Sequence, residues 1–116
     1  MLVLTLNFCA PKINEDRPEK IKFDLSQLSD EGLIGEGKNL RAIDYEFCIP
    51  KNDSLKEIVF SIDSTVKFFP RSSGRIACGK SEILCVGNTN QPEAKETLLN
   101  LAELDFIKKI EQTFYE

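Results

Sequence analysis

Apolar and polar residues alternate from the second position: Leu2, Leu4, Leu6 and Phe8 share one face, and Val3, Thr5, Asn7 and Cys9 the other. Period two over this length predicts a strand over 2–9, ended by Pro11. The polar, Pro18-containing stretch 12–19 reads as a loop. A shorter alternation, Ile21, Phe23 and Leu25 against Lys22 and Asp24, predicts a half-buried strand over 20–25. Gly32, Gly35 and Gly37 then crowd together and predict a mobile surface loop over 29–39. The clearest alternation is 40–49, with Ile43, Tyr45, Phe47 and Ile49 opposed to Asp44, Glu46 and Cys48, and Pro50 as its stop.

The period then changes. Leu55, Ile58, Val59 and Ile62 recur at helical spacing and predict a helix over 54–62, with Asn52, Asp53 and Ser54 as caps and Ser54 with Glu57 as a capping box. A strand follows over 66–69, closed by Pro70, and then a turn through 71–74. Two strands over 75–78 and 83–86 are expected to flank Gly79-Lys80-Ser81-Glu82 as a hairpin. Ala94, Leu98, Leu101 and Ala102 stripe a second helix over 92–103, with Pro92 in its first turn and Glu93 and Glu96 near its positive end. Phe106, Ile107, Ile110 and Phe114 are expected in a last strand, where Lys108 and Lys109 suggest an edge or bulge.

Strand–helix–strand–strand–helix–strand predicts an α+β fold of the ferredoxin-like (βαββαβ) kind. Two helices cover one face of a mostly antiparallel sheet, extended by one or two N-terminal strands. A single domain over 1–116 is expected, with its core in 40–116 and a strand extension and Gly-rich loop in 1–39. Tyr45, Phe47, Val66, Phe68, Leu55, Ile58, Val59, Leu98, Leu101 and Ile110 should share the helix-covered face. Phe8-Cys9-Ala10-Pro11-Lys12 echoes Phe47-Cys48-Ile49-Pro50-Lys51, too short a match to establish duplication.

Composition narrows function by exclusion. The 116 residues suffice for a core without staples, and 41% hydrophobic with 29% charged is ordinary for a globular chain. A net charge of −4 argues against non-specific nucleic-acid binding. There is no His, which removes the commonest general base and His-ligated metals. The N-terminal apolar stretch is too short to span a membrane and lacks the basic flank of a signal peptide. The expected setting is therefore cytoplasmic, with thiols mostly reduced.

No stretch carries a specific catalytic or cofactor signature, so no cofactor is expected. Cys9, Cys48, Cys78 and Cys85 lack metal-knuckle spacing and are expected chiefly as small core hydrophobes; Cys78 and Cys85 sit where they could face each other across the expected hairpin. Arg71, Ser72, Ser73, Gly74 and Arg75 resemble a small anion cradle: two guanidiniums, two hydroxyls and a Gly-permitted turn. Asn88, Thr89 and Asn90 are expected to cap the second helix. Asp44 and Glu46 are expected on a solvated strand face rather than as a catalytic pair. Leu33 and Ile34, at the centre of the Gly-rich loop, are candidates for docking a protein partner. These features favour a small, non-catalytic binding or regulatory module acting through protein–protein contact or self-association. An anionic-ligand sensor comes second, and an enzyme using Cys or carboxylates third.

Overall fold

The computed structural model describes residues 17–114. The strand expected over 2–9, Cys9 and the first half of the Phe-Cys-x-Pro-Lys echo lie outside them. Helix α1 (Arg17–Lys20) is followed by β1 (Asp44–Pro50), α2 (Asp53–Ile62), β2 (Lys67–Phe69), β3 (Glu82–Asn88), α3 (Ala94–Ala102) and β4 (Glu111–Gln112). The four strands form one antiparallel sheet in the order β2-β3-β1-β4. The expected α+β class is the one the chain adopts. Among the described residues no helix is long and apolar enough to cross a membrane.

Alternation along β1 and β3 sends their side chains to two faces. Tyr45, Phe47 and Ile49 lie on the face under α2 and α3, with Ile83 and Cys85 beside them. Val59, Leu98, Leu101 and Ala102 seal this layer from the helices. Phe47 has no exposed surface, and emptying such a site costs about 3–5 kcal/mol. Of the residues expected on this face, Ile58 is the exception: it is 40% exposed. The stripe turns inward through Leu55, Val59 and Ile62, leaving Ile58 at the rim.

Several expected elements are shorter or absent. Residues 20–25 are not a strand: α1 runs to Lys20 and only Ile21 bridges, in parallel, to Ile110. Asp24 accepts hydrogen bonds from the Ser26 amide and hydroxyl and starts a 3₁₀ turn, Leu25–Gln27, in competition with strand pairing. The last strand shrinks to Glu111–Gln112, because Leu104 and Ile107 close a turn and bring Ile107 and Ile110 into the core. Residues 75–78 form a turn, not a strand. Ile76 and Cys78 are buried with strand-like spacing, but the Ile76 amide bonds a Glu46 carboxylate oxygen and the Cys78 amide bonds the Ser73 carbonyl. Helix α2 is capped by Asn52, which accepts from the Leu55 amide, so Ser54 falls inside the first turn and makes no capping box.

The stretch 29–41 is pinned to the domain. The Ser29 hydroxyl accepts from the Glu31 and Leu33 amides, and Ile34 exchanges two backbone hydrogen bonds with Arg41. Thr89 is the clasp: its hydroxyl donates to the Gly32 carbonyl at 2.7 Å and accepts from the Ile43 amide at 2.9 Å. Gly32 has φ +82°, and a Cβ there would collide with the Thr89 carbonyl. A glycine at this crossing is thus a condition of closure.

Candidate functional site

The sheet face opposite the helices is built from Asp44, Glu46 and Cys48 on β1, Leu84 and Val86 on β3, and Lys67 and Phe69 on β2. No helix covers it. The loop between β2 and β3 folds over one end instead, packing Ile76 and Cys78 on Leu84, with Cys48 and Val86 alongside. A disulfide between Cys48 and Cys78, Cα–Cα 5.6 Å, fastens this roof to β1. The expectation of reduced thiols is corrected here, as is the facing of Cys78 and Cys85. With 75–78 turned over the sheet, Cys78 meets β1, while Cys85 points to the helix side and is free and buried. Burial pushes the Cys85 thiol up to about 12.

Beside the roof is a cleft of about 470 Å³ lined by Glu46, Phe69, Ser72, Gly74, Arg75, Leu84, Val86, Thr113 and Phe114. Glu46 forms its floor and is only 3% exposed, against the expectation of a solvated strand face. One carboxylate oxygen accepts from the Ile76 amide and the other from the Thr113 hydroxyl, both at 2.8 Å. The carboxylate thereby ties the roof to β1 and the C-terminal strand to the same spot. At the rim, Phe69 is 42% and Phe114 60% exposed. Arg75 lines the cleft, and Lys67 lies on the same face of β2 as Phe69.

The residues singled out from the sequence are only partly gathered here. Ser72, Gly74 and Arg75 line the cleft; Arg71 and Ser73 line a separate hollow of about 210 Å³ with Lys80, Glu82 and Ser72. Arg71 and Arg75 thus line different hollows, which share Ser72. Leu33 and Ile34 are half-buried, and Ile34 packs on the main core. Asp44 accepts from the Asn88 side-chain amide at 2.6 Å, separately from Glu46. Asn88, Thr89 and Asn90 do not cap α3: Asn88 bonds Asp44 and the Asn90 amide, and Thr89 clasps Gly32. The α3 N-cap is Glu93, in left-handed backbone conformation and without a side-chain cap.

A second polar cluster lies on the helix side. The Tyr45 hydroxyl bonds one oxygen of Asp63, and the other accepts from the Thr65 hydroxyl at 2.6 Å and from Gln91 at 3.2 Å. Burial first, and then the Asp63 charge, push the Tyr45 phenol well above its ordinary range. Asp63 is fully buried and caps the end of α2, so the cluster joins that helix to β1 and to the approach to α3. It opens on none of the clefts described and supplies structure rather than a reactive group.

No family model, curated protein or solved structure matches the chain. The reading of its function rests on geometry. What the sequence missed is the cleft floor: nothing in its pattern distinguishes a buried Glu46 from a solvated one. The one available signal was Phe114 at the end of the expected last strand.

Proposed function

We propose that this chain is a small non-catalytic binding module whose contact surface is the cleft on the helix-free sheet face. The occupant we infer is an extended protein segment carrying apolar side chains and carboxylates. The carrying observation is the pair of exposed rings, Phe69 and Phe114, flanking an apolar cleft of about 470 Å³ on a face that no helix among the described residues covers. That volume lies within the range of ligand pockets, roughly 300–1,000 Å³. The chain is acidic overall, yet Lys67 is exposed on the same face of β2 as Phe69, which favours an acidic partner by charge complementarity. Glu46 has both oxygens engaged by internal donors, which suits a floor better than an acid–base catalyst.

The ferredoxin-like arrangement belongs to this reading. It draws support from the order β1-α2-β2-β3-α3-β4 and from the central pairing of β1 with β3. A single domain over 1–116 and cytoplasmic residence also remain proposals. Residence there requires the Cys48–Cys78 disulfide to be transient or redox-responsive, the usual role of disulfides in that compartment.

Random twelve-residue peptides displayed on phage and panned on the full chain test the binding reading. Selected sequences should combine aromatic or aliphatic residues with Asp or Glu, weaken with salt, and lose binding to Phe69→Ser and Lys67→Glu variants. Peptides that bind both variants as well as the parent chain would overturn the surface, and selection of basic peptides would overturn the charge argument. A second reading, an anionic small ligand, draws on Arg71 and Lys80 sharing the neighbouring hollow. It predicts a melting-point rise with phosphate or carboxylate compounds that Arg71→Ala removes. Self-association through the cleft would instead show as a concentration-dependent mass that Phe69→Ser abolishes.

A further inference from the structure

We propose that Cys48, Cys78 and Glu82 form a thiolate–carboxylate site for a soft divalent cation, of which Zn²⁺ is the type, available only when the Cys48–Cys78 disulfide is reduced. The two sulfurs and a Glu82 carboxylate oxygen all lie within 4.8 Å of one another. Donors on one tetrahedral zinc stand roughly 3.5–4 Å apart, given metal–ligand distances of about 2.0–2.3 Å. Reduction needs only to let two bonded sulfurs separate to that spacing.

The three residues come from different parts of the chain. Cys48 is in β1, Glu82 opens β3, and Cys78 ends the roof turn. Their sequence spacing resembles no metal motif, so the site is assembled by the fold. Glu82 is already oriented, because one of its oxygens accepts from the Gly79 amide at 2.6 Å. Such support of a ligating carboxylate is what metal sites require. Cys48 and Glu82 line a cavity of about 240 Å³ with Ile76, Ala77, Lys108 and Lys109, and Cys78 with Glu82 lines the neighbouring hollow. The cavity gives an ion a way in and leaves room for water as a fourth ligand. Three anionic ligands around a divalent ion leave one net negative charge. Lys108, which lines the same cavity, offsets it, while Lys109 pairs with Glu111 at 3.0 Å.

The chemistry balances with a dithiol as reductant. Exchange transfers two electrons and two protons to the disulfide, giving two thiols and an oxidised dithiol. The entering cation then displaces both thiol protons to solvent. In one state the disulfide holds the roof on β1, and in the other the metal does. Ala77, beside Cys78, has φ 67°, so the turn sits in backbone that alanine rarely adopts and needs such a clamp.

Cobalt titration of the full chain carrying Cys9→Ser and Cys85→Ala, reduced with a thiol-free phosphine, tests the proposal. One equivalent of Co²⁺ should bind with a thiolate-to-cobalt charge-transfer band, and Zn²⁺ should displace it. The oxidised protein should show no band. Cys78→Ser should lose at least half of its intensity. Glu82→Gln, which keeps an acceptor for the Gly79 amide, should retain the band with affinity lowered by about 10-fold or more. Uptake by the oxidised protein, or uptake unchanged by Cys78→Ser and Glu82→Gln, overturns the proposal. So does a reduced chain that takes up no cobalt, or one that circular dichroism shows to be unfolded both with and without the ion.

Discussion

Reducing the Cys48–Cys78 bond should cost the fold more than any single surface change. The bond closes a loop with a sequence separation of 30 residues. Chain entropy alone assigns such a loop about 3.6 kcal/mol at 25 °C. The native state also stands to lose the packing of Ile76 and Cys78 on Leu84 and the hydrogen bond from the Ile76 amide to Glu46, because the roof is otherwise held by turn contacts. For a chain of this size the entropic part alone corresponds to a fall in melting temperature of about 10–18 °C. The assay is thermal unfolding followed by circular dichroism, with and without a phosphine reductant, in a metal-free buffer. The Cys48→Ala, Cys78→Ala double variant should melt at the reduced parent's temperature and ignore the reductant. A fall of less than about 4 °C, equivalent to about 1 kcal/mol, would refute the reasoning.

Other consequences are testable with the same apparatus. Tyr45→Phe removes the donor to the fully buried Asp63 and should cost about 1–3 kcal/mol, read as a lower denaturant midpoint at unchanged slope. Thr89→Val keeps the shape but strands the Ile43 amide and the Gly32 carbonyl; a similar loss should appear, with faster amide exchange through 29–34. Cys85, raised from an ordinary 9.0 to about 12, is neutral in the folded state, so its contribution is complete below pH 9 and disappears as pH climbs toward 12. In a Cys9→Ser background, the native oxidised protein should therefore resist alkylation at pH 8 and gain one reactive thiol on unfolding.

Much of the fold was legible because burial on one face leaves a clean period. Tyr45, Phe47 and Ile49 announced β1, and Leu98, Leu101 and Ala102 announced α3, within a few residues of their observed limits. Each failure has an identifiable cause. Ile21 and Phe23 alternate like a strand, but Asp24 offers the backbone a competing partner. Ile76 and Cys78 alternate too, and they are buried, yet what buries them is a disulfide and a carboxylate from another strand. Spacing within a segment carries no information about such distant partners. The Gly-rich loop misled for the same reason: its anchor, Thr89, lies 57 residues away from Gly32. The site was legible only in part. Ser72, Gly74 and Arg75 stood out as a polar turn, but Phe69, Thr113 and Phe114 join them only once β2 and β4 flank the central pair.

The central claim is that contact is made on the helix-free face. Backbone amide shifts of the isotopically labelled full chain, recorded as a selected acidic-apolar peptide is added, test it most directly. The account predicts changes concentrated at Phe69, Ser72, Gly74, Arg75, Leu84, Val86, Thr113 and Phe114, with the Tyr45 and Leu98 amides still. Changes centred on α2, where Ile58 and Phe60 are also exposed, would contradict it.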